Sequence, residues 1–179
     1  MRRLYVATTP TADPAAIEAI RESLGSTFSL PLGELELPEV DFAYDATRGQ
    51  YASVAVLESL TRVCPPDTAK LLAVTSRDLF IPVLTFVFGQ AQLSGRVGVV
   101  SLARLHQQFY GLPPDPDILL QRSVKEALHE TGHMFGLVHC ADTACAMSLS
   151  TGVRQIDRKE AAFCKPCMGR LRRPSELLK

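Results

Sequence analysis

Three of the chain's four histidines fall in the segment His129-Glu130-Thr131-Gly132-His133-Met134-Phe135-Gly136-Leu137-Val138-His139, and no other feature constrains the local fold as tightly. On a helix, positions four apart share a face, so His129 and His133 can both present an imidazole to one metal ion. Gly136 comes three residues after His133, where a non-helical backbone costs least, so the helix can end there and the chain can double back. That reversal can carry His139 to the same ion as a third ligand. Three nitrogens on a tetrahedral ion leave a fourth position for water, which separates a catalytic zinc site from a structural one. Glu130, beside the first ligand, then stands where it can take that water's proton.

His129, Glu130 and His133 alone make a pattern that arises by accident on ordinary surface helices. Gly136 and His139 add two positions, each with a geometric reason, and favour the metal-site reading. The helix itself is well specified: Asp115 can serve as N-cap, Pro116 as first helical residue, and Asp117 lies near the positive end of the dipole. Leu120, Val124, Ala127, Leu128, Thr131 and Phe135 recur on one side of it and predict a buried stripe, with the ligands off to one side.

Four of the five cysteines follow the third histidine: Cys140, Cys145 and the pair Cys164-Lys165-Pro166-Cys167. Two pairs, one of them CxxC, have the spacing of a structural tetrahedral zinc site. A redox CxxC usually opens a helix after a strand, and nothing upstream of Cys164 reads that way. Disulfides are the other alternative. Met1 to Ala7 runs into Thr8-Thr9-Pro10 without the apolar core of a secretory signal, so the expectation is a cytoplasmic chain with reduced, metal-bound thiols. Cys64, before Pro65-Pro66, reads as a small buried or loop residue.

Residues 129 to 167 spell H-E-x-x-H-x-x-G-x-x-H-C-x4-C-x-M-x16-C-x2-C, which closely resembles the archaemetzincins, a branch of the metzincin metalloproteases. The resemblance implies that Met147 is the methionine of the turn packed beneath the zinc ligands, a role compatible with an ordinary core methionine. It also implies that Cys140, Cys145, Cys164 and Cys167 hold a structural zinc close to the catalytic one, two Zn2+ ions in all. Leu149 stands where some metzincins carry an oxyanion-stabilising tyrosine, two residues after Met147, so that device has no candidate there. A one-residue difference from other members in the spacing between Met147 and Cys164 would alter only a loop.

The activity expected is zinc-dependent hydrolysis of peptide bonds in a peptide or protein substrate, with aminopeptidase action one form of it. The ion held by His129, His133 and His139 would lower the pKa of its water towards about 7 and polarise the carbonyl, with Glu130 moving the proton to the leaving amine. A competing class is a zinc-stabilised binding or regulatory module without turnover. Cys140, next to the third ligand, belongs to the other site, and coupling between the sites could distort or close the first. Cys64 is the one cysteine left free to act as a latency thiol.

At 179 residues and 46% hydrophobic content, the chain suits one compact domain spanning 1–179, which the resemblance implies is a metalloprotease domain. Residues 1–135 would form an N-terminal subdomain ending in the active-site helix. Residues 136–179 would form a C-terminal subdomain with the third histidine, the methionine turn and the cysteine site. A net charge of zero gives no electrostatic reason to expect nucleic-acid or membrane partners, and a monomer is expected. The longest apolar run, Leu79 to Phe88, is about half of the ~20 residues of a spanning helix and contains Pro82. Repeats and low-complexity segments are absent from the sequence.

Leu4 to Thr8 reads as a buried strand, Asp13 to Leu24 as a helix, Gly33 to Leu37 as a strand, Tyr51 to Val63 as a helix and Leu71 to Thr75 as a strand. Phe86 to Gln92 and Arg96 to Ser101 follow as strands joined near Ser94-Gly95, before Leu102 to Tyr110 and the proline-rich loop Gly111 to Asp117. The order β-α-β-α-β-β-β-α predicts an α/β (α+β) fold, a twisted mixed sheet with packed helices, and the resemblance implies that it is metzincin-like. In the metzincins, which this chain resembles, one strand edges the active-site cleft; Phe86 to Gln92 is the candidate for it, where an extended substrate can add through backbone hydrogen bonds. His106 reads as a surface or core-edge histidine, and Arg77-Asp78 as an exposed turn pair in preference to a substrate contact. Arg170, Arg172 and Arg173 read as a solvated terminus ending in Leu177-Leu178-Lys179, not as a nucleic-acid-binding ribbon.

Overall fold

A strand that alternates apolar side chains to both faces needs helices on both sides, and the longest strand here is buried at all eight positions. The computed structural model describes residues 1–171. Its elements are β1 (Arg3–Thr8), α1 (Pro14–Phe28), β2 (Leu32–Glu36), β3 (Tyr44–Asp45), β4 (Gln50–Ala52), α2 (Ser53–Val63), β5 (Thr68–Thr75) and β6 (Leu79–Phe80). They continue with β7 (Gly89–Ala91), β8 (Val97–Ser101), α3 (Pro116–Met134), α4 (Val153–Arg158) and α5 (Lys165–Leu171). The main sheet has the order β2-β1-β5-β8-β7, parallel except for β7, which runs antiparallel to β8 at the edge.

Alternation sorts the sheet residues. Leu4, Val6, Leu72, Val74 and Val100 pack with Ile20 and Leu24 of α1 and with Ala127 and Leu128 of α3. Ala7, Leu71, Ala73, Val97 and Val99 pack with Val56, Leu57 and Leu60 of α2 on the opposite face. The fold is therefore mixed α/β with a mixed sheet between two helical layers, as the order of elements predicts.

Both long helices start as their sequences direct. Asp13 accepts from the Ala16 amide at 2.9 Å and Asp115 from the Ile118 amide at 3.0 Å, each followed by a proline in the first turn. The expected stripe on α3 is only part of what is covered: Ala127, Leu128 and Thr131 are buried, whereas Leu120, Val124 and Phe135 are half-buried. The second half of α3 is enclosed nearly all round, because α1, the sheet and the returning chain cover different sides of it. At its C-terminal end, the buried Lys70 of β5 donates to the carbonyls of Met134 at 2.7 Å and Gly95 at 2.8 Å. Burial lowers the Lys70 pKa to about 8, while the carbonyl end of the helix favours the cation.

Several expectations change. Helix α1 runs four residues past Leu24, to a left-handed Ser29 with φ 50°. Only Gly89–Ala91 of the Phe86 to Gln92 strand pairs regularly with β8; Val87 bridges to Leu79 instead. Tyr51 and Ala52, read as helix, belong to a second sheet of order β3-β4-β6. Strands of two and three residues are too short for alternation to betray them. Arg77 and Asp78 are not an exposed turn pair: Arg77 bonds Glu39 at 3.2 Å, and Asp78 accepts two bonds from Arg104 at 2.7 and 2.8 Å. Cys64 is half-buried at the end of α2, and His106 is half-buried away from the other histidines. Arg170 is exposed on α5, while Arg172, Arg173 and Leu177-Leu178-Lys179 lie outside the described residues. Among the described residues no helix is long and apolar enough to cross a membrane.

Replacing Lys70 by Met keeps the apolar stem and deletes the donors to Met134 and Gly95. Denaturant unfolding is expected to show a loss of about 1–3 kcal/mol. An unchanged midpoint would mean that this lysine does not hold the end of α3.

Candidate metal centre

His129 and His133 sit one turn apart on α3, and each is oriented by a carbonyl. His129 Nδ1 lies 2.8 Å from the Ala146 oxygen, and His133 Nδ1 lies 2.8 Å from the Leu137 oxygen. A carbonyl can only accept, so each Nδ1 carries the proton and each Nε2 a lone pair. The two Nε2 atoms are 3.1 Å apart with no hydrogen between them. Burial lowers the pKa of all three motif histidines, His129 well below its ordinary value, so the rings are neutral and available as ligands.

The helix ends where the sequence places its stop. Gly136 is left-handed at φ 87°; its amide donates to the His133 carbonyl and the Leu137 amide to the Gly132 carbonyl, both at 2.9 Å. The chain then returns, and the His139 ring stands 5.3 Å from that of His129 and 5.0 Å from that of His133. One donor nitrogen from each ring lies within 4.8 Å of the others. Two nitrogens each about 2.1 Å from a tetrahedral zinc are about 3.4 Å apart, close to the Nε2 separation here, so the donor set fits such an ion.

Glu130 faces the same cavity, a cleft of about 410 Å³ between residues 81–90 and Leu149 to Thr151. Its carboxylate lies over Gly89 of β7: a Cβ there would stand 2.7 Å from both Cγ and Oε1 of Glu130. Burial pushes the Glu130 carboxyl well above the usual carboxylate range; the Glu126 charge adds to this and the Lys159 charge opposes it. Lys159 and Glu126, both buried, pair at 3.3 Å beneath the cleft. Beside them Arg122 of α3 donates twice to Asp157 of α4, at 2.7 and 2.8 Å. These two pairs fix the segment that follows the third histidine onto the helix carrying the first two.

Met147 is fully buried, and its sulfur lies where a Cβ on Gly132 would have to go. It therefore packs on the helix backbone at Gly132, next to His133. The Sγ atoms of Cys140, Cys145, Cys164 and Cys167 all lie within 4.8 Å of one another. Cys140 and Cys164 are 3.8 Å apart at sulfur, too far for a disulfide of about 2.05 Å. That distance is the edge of a sulfur tetrahedron around zinc with bonds of about 2.3 Å. Cys145 Sγ accepts from the amides of Met147 and Cys164, both at 3.4 Å. Ala146, between Cys145 and Met147, is the residue whose carbonyl orients His129, and the Cys140 amide donates to the Met147 carbonyl at 2.9 Å.

All motif residues thus converge, in two clusters joined by backbone. His106 and Cys64 belong to neither. Leu149, at the position of the absent tyrosine, is exposed at the rim of the cleft. Sequence reasoning did not find Gly89, Glu126, Lys159 or the packing role of Gly132. Gly89 had a usable signal, since an isolated glycine in a strand marks a close approach. Lys159 had none, because its partner is far away in the chain.

A third histidine reached through a glycine turn, with a buried methionine packed on the ligand-bearing helix, places the site in the metzincin class of metalloproteases. Residues 20–173 match the model of peptidase family M54. An archaemetzincin of Methanocaldococcus jannaschii is 44% identical over 138 residues, 75% of each chain. The crystal structure of archaemetzincin from Methanopyrus kandleri superposes with a TM-score of 0.86 at 36% identity, covering 98% of this chain and 96% of that one. A zinc-dependent peptidase from Methanocorpusculum labreanum gives 0.84 at 30% identity, covering 94% and 99%. The chain belongs to peptidase family M54, the archaemetzincins, and is a metallopeptidase.

Gly132→Ala sets a methyl group against the Met147 sulfur and is expected to destabilise by about 1–3 kcal/mol. Combined with Met147→Ala, which makes room, it should cost less than the two single changes added together. Strict additivity in denaturant titrations would show that the two residues do not press on one another.

Proposed function

We propose that His129, His133 and His139 hold one zinc ion as the hydrolytic centre, and that Cys140, Cys145, Cys164 and Cys167 hold a second, structural one. The pair of Nε2 atoms carries the first assignment. Both rings donate their Nδ1–H to carbonyls, so the point between the two lone-pair nitrogens suits a cation and nothing that needs a hydrogen-bond donor. Zinc bound there supplies Lewis acidity, which makes water a nucleophile at neutral pH and polarises a carbonyl.

The protein's own groups do the rest. Glu130 takes up the proton of water at a carboxylate oxygen and returns it to the amine that leaves. A desolvated carboxyl with a raised proton affinity is suited to that task. Gly89 leaves the carboxylate room against the strand, and Glu126 with Lys159 closes the base of the cleft. An extended peptide adds to the open edge of β7 through backbone hydrogen bonds, so the cleft reads backbone shape first. Met147 supports the helix backbone from below and binds nothing. Residues 1–135 act as the subdomain carrying the sheet and base, and residues 136–179 as the one carrying the third ligand and the cysteine site. The working molecule is a monomer acting on peptides in the cytoplasm, where four reduced thiols are at home.

Two substitutions test this. Glu130→Gln is expected to keep its metal while kcat on a diverse peptide library falls by about 10²- to 10⁴-fold; undiminished turnover would remove Glu130 from the mechanism. The same library made with free and acetylated amino termini separates aminopeptidase from internal cleavage. Cys167→Ser is expected to lose one zinc per chain and to lower the melting temperature, because structural zinc contributes folding energy directly. Since Ala146 and Cys140 link the clusters, the remaining zinc should also bind about 10- to 100-fold more weakly. Full metal content and unchanged melting in this variant would refute the four-cysteine site.

A further inference from the structure

The cleft does not end at the histidines. Phe86 and Thr151 line it, and both also line a second recess of about 510 Å³, so the two spaces adjoin. The walls of the second recess include Arg104, Tyr110 and Arg154, and no acidic side chain lines it.

Arg104 is rigid. Its Nε and Nη2 donate to Asp78 at 2.7 and 2.8 Å, and its guanidinium lies 4.1 Å from the Phe86 ring centre and 4.7 Å from that of Phe109. The Tyr110 hydroxyl donates to the Arg104 carbonyl at 2.8 Å. Two of the five guanidinium hydrogens are used on Asp78, which leaves donors for another acceptor. Arg154 is an exposed member of the same lining, and among the described residues it has no acidic partner. Asp78 is already matched by Arg104, so Arg154 leaves the recess with unbalanced positive charge. A planar fork held by stacking, with a second guanidinium lining the same recess, is suited to a carboxylate.

The direction of the cleft says which part of a substrate arrives there. A strand laid antiparallel along the open edge of β7, from Ala91 back to Gly89, runs with its C-terminal end towards Phe86 and so towards the recess. We propose that this recess is a subsite for a carboxylate on the C-terminal side of the cleaved bond, with Arg154 and Arg104 as specificity-determining residues. The carboxylate is either an Asp or Glu side chain or the end of the substrate chain. This rests on the peptidase reading above.

The experiment uses the zinc-loaded protein and a pooled library of hexapeptides, each made with a free and with an amidated C-terminus, cleavage sites being read by mass spectrometry. The expected result is enrichment of Asp and Glu within a few residues after the cut, or loss of turnover on amidation; the first outcome identifies the side chain and the second the chain end. Arg154→Glu should collapse the ratio of kcat/KM between acidic and neutral peptides about 10- to 100-fold. Arg104→Lys, which keeps the charge but not the fork, should reduce the same ratio by less, with a melting curve to show that it folds. Hydrolysis with no preference for a carboxylate would overturn the subsite and leave the peptidase reading intact. If no peptide is cleaved, binding of the same fluorescently labelled peptides decides. Binding that needs both the carboxylate and Arg154 would uphold the subsite and remove the peptidase reading, whereas binding indifferent to both would overturn the subsite.

Discussion

A proton shared between His129 Nδ1 and the Ala146 carbonyl connects the parts of this molecule that would otherwise be independent. It selects the tautomer that turns a lone pair towards His133 and His139, and it ties α3 to a loop whose own position depends on Cys145 and Met147. His133 depends in the same way on Leu137, just beyond the glycine turn. Each helical ligand is thus aimed by backbone from the half of the chain that supplies the third ligand. The metal centre cannot be assembled from the helix alone.

Enclosing a helix that carries Arg122, Lys125, Glu126, His129 and Glu130 on buried positions is electrostatically expensive. The structure offsets this by pairing. Lys159 meets Glu126, Asp157 meets Arg122, and Lys70 meets the free carbonyl at the helix end. A buried pair such as Lys159 with Glu126 contributes little net stability compared with apolar packing, but removing one partner strands the other. The effect of the pairs is to fix position: α4 cannot drift from α3 without exposing two unmatched charges, so the wall formed by Leu149 to Thr151 keeps its distance from the histidines. Glu130 has no such hydrogen-bonded partner, and burial, helped by the Glu126 charge, raises its affinity for a proton.

What could be read from the sequence was what depends on near neighbours. The caps at Asp13 and Asp115, the proline starts, the stop at Gly136 and the ligand spacing are all written within a few residues of where they act. The parallel strands were legible because burial on both faces leaves continuous apolar runs such as Leu71 to Thr75. The pairing of Lys159 with Glu126 was not legible, since nothing beside Lys159 distinguishes it from a surface lysine. The small sheet of β3, β4 and β6 escaped for another reason: its strands are too short to show a period, and Tyr51 and Ala52 resemble the first turn of α2. Arg77 and Asp78 resembled a turn until the fold brought Glu39 and Arg104 against them.

Gly89 lies under the Glu130 carboxylate, and the neighbouring Gln90 is tied across to Ser53, whose hydroxyl lies 2.6 Å from its side-chain oxygen. Strand side chains alternate, so sliding β7 by one residue would bring Phe88 or Gln90 to the place where the carboxylate now rests. The space for the base is therefore a property of strand alignment and not of any side chain in the motif. Three paired residues at the sheet edge act as a gauge block, and the proton-carrying group fits only when that block is seated on the right notch.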